Sequence, residues 1–275
     1  MKIGLYLFEQ FHGRKGLGSS KIRGHWLAEK WDDAEIFIMG KKYDTIIYQK
    51  VYHIDHAKLF KGLKILDLCD PDWLHWAYRT KEMIEEIDII TTSSENLKTA
   101  IEQMTDKPVF CIPDRINLES IENIKVHEGD AKSAVWFGYS DNFEVLDSVI
   151  PALKKYKLDL IVVSDGMYSV PSAFSSVNVT NYKWDENAHN NIINGDIALN
   201  PQKTKGKWKF KSNNKTLLAW SLGLPVATNS EELELYINEN ERKNEIKKRS
   251  IELVEKWDIK YSVEELKSII DKYKK

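Results

Sequence analysis

The segment 203–215 holds six lysines, Lys203, Lys205, Lys207, Lys209, Lys211 and Lys215, and passes through Ser212, Asn213 and Asn214 into an apolar run. Ammonium groups beside a helix N-terminus combine positive charge with hydroxyl, amide and backbone N–H donors, a setting that stabilises phosphate or diphosphate. The ordinary reading is a solvated basic loop with a routine helix cap. A second candidate is the loop Gly13-Arg14-Lys15-Gly16-Leu17-Gly18-Ser19-Ser20. Gly16 and Gly18 permit close backbone approach to a ligand, and Arg14 and Lys15 add charge. The pattern is not G-x-G-x-x-G, and a plain surface turn fits it equally well. Asp67, Asp70 and Asp72 are close enough in sequence to suit Mg²⁺ or Mn²⁺. They also fit a strand end followed by a helix cap, with Asp72 capping WLHWAYR. Of the seven histidines, His53 and His56 lack the Cys or Glu companions of a zinc site. No G-x-S-x-G elbow or Ser-His-Asp logic is present, which disfavours a hydrolase.

These groups need elements to position them. Short apolar runs predict strands at Ile3–Phe8, Glu35–Met39, Thr45–Tyr48, Leu63–Leu68, Ile87–Thr91 and Val109–Ile112. Helical patterns lie between them. KIRGHWLAEKW follows Ser19 and Ser20, and Ser94 precedes a face of Leu97, Ile101 and Met104. Strands alternating with helices predict a parallel sheet covered on both faces. Periodicity fades over 117–132 and then restarts. Strands are expected at Ala134–Phe137, Leu158–Val163, Val177–Thr180, Ile197–Leu199 and Leu224–Ala227. Leu146, Val149, Ile150 and Leu153 share a helical face that Pro151 must kink or split. Gly138, Tyr139 and Ser140 follow the first of these strands, where loops at the C-terminal ends of parallel strands form ligand crevices. Ser140 or Asp141 is also a natural cap. Ser212 or Asn213 is expected to cap a helix from Asn214 to Leu222 that Gly223 stops. Thr228 with Glu231, and Ser262 with Glu265, have capping-box spacing. Trp73, Trp76, Trp184 and Trp208 fall in polar connections and offer stacking faces, although core packing explains most tryptophans.

Four stretches, in this order, resemble the GT-B glycosyltransferases, and within them the retaining group that uses nucleotide sugars. They are KIGLYLF…GRKGLGSSKIRGHWLAEKW, then YDTIIYQKVY with KGLKILDLCDPDW, then IITTSSENLKTAIEQMTDKPVFCIPDRIN, and last DIALNP…KFKSNNKTLLAWSLGLPVATN. The resemblance implies an α/β, GT-B-like fold with two Rossmann-like domains whose parallel sheets face each other across a cleft. It implies an acceptor-side domain over 1–120, a linker over 121–132 and a donor-binding domain over 133–275, with the C-terminal helices packing back. The implied activity is sugar transfer from a nucleotide-diphosphate sugar as donor substrate, with retention of configuration. No permanently bound cofactor and no metal are implied. By family position Lys211 and Lys215 hold the diphosphate, with Ser212 and Asn214 beside them, and Gly16 and Gly18 line the cleft. An acidic turn on the acceptor side and a first-domain histidine make Asp70, Asp72 and His53 the catalytic candidates, and His75 lies in a similar loop. One departure stands out. The family's donor-ribose Glu falls at Leu218, and the approach KGKWKFKS supplies no partner carboxylate.

Composition bounds the partners. The 275 residues carry a formal charge of −2 with 42% hydrophobic residues, which gives no global bias towards nucleic acid. Nothing approaches the length of apolar run that spans a membrane, and the N-terminus reads as a strand rather than a signal peptide. Cys69 and Cys111, without C-x-x-C spacing, read as free thiols in a cytoplasmic protein. Peripheral membrane contact stays open. The acceptor is left open between glycan, lipid and modified nucleic-acid base. The rival readings are a degenerate GT-B-fold binding protein, a nucleic-acid-directed transferase, and an epimerase or phosphorylase on the same fold.

Overall fold

A computed structural model describes the chain except residues 14–15, 186, 204 and 275, and the side chain of Lys207. The chain forms two compact units. The first comprises Met1–Asn117, Lys205–Asn213 and Asp258–Lys275, and the second Leu118–Thr204 and Asn214–Trp257. Residues 205–213 of the lysine-rich segment and the last helix therefore belong with the first unit; the sequence reading places both in 133–275 and expects the C-terminal helices to pack back.

The first unit alternates strand and helix. β1 (Ile3–Leu7) runs into α1 (Phe8–His12), and α2 spans residues 18–30. Then come β2 (Ala34–Ile36), β3 (Thr45–Gln49), α3 (Ile54–Leu59), β4 (Leu63–Leu68) and α4 (Trp73–Glu86). β5 (Ile89–Thr92), α5 (Glu95–Glu102) and β6 (Val109–Cys111) complete the sheet region. All strand pairs are parallel, in the order β2-β1-β3-β4-β5-β6. Every residue of β1 and β3 is buried, as a parallel sheet covered on both faces requires. Ser94 caps α5 as its spacing predicts, accepting from Leu97 N–H at 3.3 Å. Within α2 the turn Lys21–His25 is a π-helix, and a side chain at Gly24 would collide with Leu7. The turn buries Arg23, which donates to Asp67 through Nε at 2.6 Å and Nη2 at 2.5 Å and to Asp114 at 2.9 Å. Burial opposes that charge, but Asp67 and Asp114 outweigh it and hold Arg23 well above its ordinary pKa.

The second unit carries β7 (Ser133–Phe137), α6 (Ile150–Tyr156), β8 (Asp159–Ser164), β9 (Val179–Lys183) and α7 (Ala188–Ile192). β10 (Ile197–Leu199), α8 (Asn214–Ser221), β11 (Val226–Ala227), α9 (Ser230–Leu235) and α10 (Glu239–Lys256) follow. Its parallel sheet has the order β11-β10-β7-β8-β9. Pro151 splits the expected helix: Ser140–Ser148 is a 3₁₀-helix, and α6 begins with Pro151 in its first turn, where a missing N–H costs no bond. Neither Ser140 nor Asp141 caps that segment, because Tyr139 holds the N-cap position. The cap of α9 is Asn229, which accepts from the N–H groups of Glu231 and Glu232, and Glu232 rather than Glu231 reaches back to Thr228.

α11 (Ile259–Tyr273) rejoins the first unit and packs on Trp26–Lys30 of α2. Its cap is Asp258. Ser262 and Glu265 form no capping box; both accept from Arg115, at 3.0 Å and 2.6 Å.

Candidate functional site

Each sheet has one place where its connections diverge to opposite sides, and the carboxyl ends of the two strands there leave a crevice. In the second unit these strands are β7 and β10, adjacent in the sheet though far apart in sequence. Their carboxyl ends lead to Gly138 and Asn200. Lys215, in the first turn of α8, lays its ammonium over the Trp136 indole, 4.4 Å from the ring centroid. Gly138 has φ of +148°, and a side chain there would collide with Nζ and Cε of Lys215. Asn200 donates to Thr216 at 3.1 Å, which ties β10 to the same turn of α8. This edge thus gathers Gly138, Asn214 and Lys215: one cation, a backbone without Cβ, and the N-terminus of an eight-residue helix. An anion is the ligand such a set stabilises. Ser140 commits its N–H to Asp165 at 2.7 Å, and that bond leads the causes that hold the Asp165 carboxyl below its ordinary pKa. Leu218, one turn further along α8, is buried and has no side-chain polar group to offer a ribose.

In the first unit the divergence falls between β1 and β3. Gln49, the last residue of β3, accepts from Phe8 N–H and from Ser20 Oγ, both at 3.1 Å. Those bonds bring the start of α1 and the end of the Gly-rich loop to the crevice. Gly16 has φ of +75° and open space around it, while Gly18 meets no neighbour and needs no unusual backbone. Arg14 and Lys15 lie outside the described residues. Lys50, directly after β3, places Nζ 2.6 Å from Asp70, 3.6 Å from Asp72 and 5.0 Å from the Phe8 ring centroid. Burial opposes the Lys50 charge, but Cys69, Asp70 and Asp72 outweigh it and raise the Lys50 pKa. Asp72 accepts from Tyr52 at 2.7 Å, and burial raises its pKa against the pull of Lys50. It stands at the N-cap position of α4 but spends its carboxylate on Tyr52 and Lys50 instead of the helix. The three aspartates are therefore paired with cations: Asp67 with Arg23, Asp70 and Asp72 with Lys50. Among the described residues no three His, Cys, Asp or Glu side chains are arranged to hold a metal ion.

The six lysines do not act as one patch. Lys203 pairs with Glu144 at 2.8 Å in the second unit. Lys211 reaches Asp70 at 3.7 Å in the first. The 3₁₀-turn Gly206–Phe210 is held to the first unit by bonds from Asn96 to Lys209 C=O (2.7 Å) and from Ser94 to Phe210 C=O (3.4 Å), and by an edge contact between Trp73 and Phe210. Ser212 follows in the same segment. The side chain of Lys207 lies outside the described residues. Asn213 Oδ1 is buried with no hydrogen-bond partner among the described residues, so Asn213 does not act as a cap through that atom. His53 sits in an aromatic cluster: Tyr6 OH is 3.2 Å from its Nδ1, and Phe11 and His56 flank its ring. Sequence reasoning passed over Lys50 and Tyr52; the only signal was the basic residue after Gln49 in YQKVY.

No protein-family model and no curated protein sequence matches the chain. Solved structures do resemble it. HepE from Anabaena, solved with UDP and glucose, superposes with a TM-score of 0.71 at 11% identity, covering 99% of this chain and 100% of that one. BGT of phage T4, solved with UDP-glucose, gives 0.60 at 13% identity over 98% and 100%. AviGT4, a glycosyltransferase involved in avilamycin A biosynthesis, gives 0.56 at 11% identity over 98% and 96%. The chain has the fold of the GT-B glycosyltransferases, as the sequence resemblance implied. No helix among the described residues is long and apolar enough to cross a membrane.

Proposed function

We propose that the chain is a glycosyltransferase that takes a nucleotide-diphosphate sugar, with uridine as its base, and passes the sugar to a hydroxyl acceptor. The observation that carries this is Lys215 lodged against Gly138 at the β7–β10 crevice, beside the N-terminus of α8. A diphosphate there gains stabilisation as the glycosidic bond breaks and negative charge builds on the leaving oxygen. The uridine rests on the UDP complexes of two structural neighbours. In the second unit Gly138, Ser140, Asn214 and Lys215 are the donor-side residues, and Leu218 occupies the usual ribose position without reaching the ligand; in the first unit Lys211, Ser212, Gly16 and Gly18 are the phosphate-side candidates. In the reaction the acceptor hydroxyl oxygen bonds to the anomeric carbon. The bond to the diphosphate oxygen breaks with its electron pair, and the hydroxyl proton passes to that oxygen. This retaining course follows the sequence resemblance. Asp70 then orients the acceptor hydroxyl, Asp72 holds Lys50 in place, and His53 lines the acceptor side.

Metal-independent action is supported by the pairing of Asp67, Asp70 and Asp72 with cations. A cytoplasmic location is supported by the free thiols of Cys69 and Cys111. A second reading, a binding protein without turnover, is favoured by buried Leu218 at the usual Glu position. Thermal shift with UDP, GDP and their sugars, with and without Mg²⁺ or Mn²⁺, tests the proposal. A metal-independent rise with the uridine compounds supports it, since a ligand at a hundredfold over its Kd adds ~2.7 kcal/mol of stability. No rise with any nucleotide overturns it. Binding without release of UDP in the presence of UDP-sugars selects the second reading.

A further inference from the structure

Beside the Lys50 charge network the first unit carries an exposed tryptophan, Trp76. Trp76 lies within α4, yet its backbone (φ −131°, ψ 48°) leaves the helical region. Residues 74–79 are all exposed, and Trp76 itself keeps 39% of its surface open. Leu74 and Tyr78, on either side of it in α4, are exposed as well, and grouped exposed apolar side chains mark an interaction site more than a single one does. The ring is nevertheless fixed in orientation. It stacks on His12 (centroids 5.8 Å apart, planes 16° apart), lies near-parallel to Phe8 (6.4 Å, 28°) and meets Tyr52 edge-on (6.0 Å, 71°). Phe8 and Tyr52 are the residues that carry Lys50 and Asp72, so the platform adjoins the Lys50–Asp70–Asp72 group at the β1–β3 crevice.

We infer that this platform is a sugar subsite and that the acceptor is a glycan, which rests on the transferase reading above. A pyranose has one face of C–H bonds and a rim of hydroxyls. Its C–H face suits the electron-rich face of an indole, and its hydroxyls suit a carboxylate with open lone pairs. Asp70, 37% exposed and ionically held by Lys50 and Lys211, is the carboxylate linked to the ring through Lys50 and Phe8. A nucleic-acid strand draws on uncommitted cations along its backbone, and the two cations at this carboxylate, Lys50 and Lys211, are both engaged by Asp70. A lipid chain gains nothing from a buried Lys–Asp group at its side. The specific residue is Trp76, which reads the acceptor's ring face and touches no reacting atom.

The test uses the full chain on an array of immobilised oligosaccharides, with UDP binding followed separately by calorimetry. Wild type is expected to retain one class of pyranose-containing glycan. Trp76→Ala should weaken that retention at least about tenfold, and Trp76→Phe should restore most of it. UDP affinity should be unchanged in both variants. Should Trp76→Ala lose its fold by circular dichroism, Trp76→Met serves in its place. No retained glycan, or equal retention by wild type and Trp76→Ala, overturns the inference. Trp76-dependent binding to phosphatidylglycerol vesicles or to single-stranded DNA in place of glycans also overturns it and names the other acceptor class. Glycan binding without UDP binding leaves the subsite standing and sinks the transferase reading, so the two failures are distinguishable.

Discussion

The ammonium of Lys215 occupies the space that a methyl group on residue 138 would need. Gly138→Ala should therefore act twice. Forcing a Cβ onto φ of +148° costs on the order of 1–3 kcal/mol, and the side chain displaces Lys215 from the crevice. Lys215→Met acts once: it removes the charge and, with it, a cation–π contact worth about 0.5–2 kcal/mol. Calorimetry with UDP should show both variants weakened roughly tenfold or more, the net contribution of a charge-assisted hydrogen bond. Wild-type UDP affinity in Gly138→Ala would show that the diphosphate does not use this crevice.

Lys50 joins two aspartates, one of them buried. Lys50→Met should cost about 3–5 kcal/mol, because it leaves the Asp72 carboxylate inside without its cation. The double variant Lys50→Met/Asp72→Asn should recover much of that loss, since the uncompensated charge has gone. Urea midpoints at neutral pH read both. If the double variant is no better than the single one, the pair is held together by something other than charge.

Leu218 is 7% exposed in a helix that packs on its own unit. Leu218→Glu, which installs the residue the family pattern would place there, should lower stability by roughly 2–4 kcal/mol and leave UDP affinity no higher. Tighter UDP binding at unchanged stability would mean that this position reaches the ligand.

The strands were legible because buried parallel strands are continuous apolar runs. Ile3–Leu7, Leu63–Leu68 and Ile197–Leu199 fall where periodicity puts them. Ends were less legible, since Val179–Lys183 extends past its apolar start into residues whose burial depends on neighbours. Spacing rules failed where a distant partner competed. Ser262 and Glu265 have box spacing, but Arg115, 147 residues before Ser262, takes both. Asp72 has cap spacing, but Tyr52 and Lys50 take its carboxylate. In the candidate site the link between Lys215 and Gly138 was invisible for the same reason: it depends on β10 lying beside β7, a long-range pairing no local window records. The kink that opens Trp76 left no Pro or Gly to announce it.

His127 gives the protein an acid-sensitive joint in its second unit. The imidazole is buried; its Nε2 donates to Gly223 C=O at 2.8 Å and its Nδ1 accepts from Arg242 Nε at 3.0 Å. Arg242 also donates to the carbonyls of Tyr236, Ile237 and Gly129, so it cannot turn away when Nδ1 is protonated. Burial lowers the His127 pKa first, Arg242 and Lys125 add to that, and Gly223 and Asp196 oppose it. The unfolded chain protonates near the ordinary histidine value of about 6.5. Because the folded pKa lies below that value, the stabilising contribution is complete above about pH 6.5 and is lost as pH falls through the folded pKa. His127→Gln, which keeps one acceptor and one donor but does not titrate, should flatten that part of the profile. Urea midpoints between about pH 7.5 and 5.5 are the measurement, above the range in which ordinary carboxylates protonate. Equal slopes for wild type and His127→Gln would mean that the histidine takes its proton inside the fold without cost.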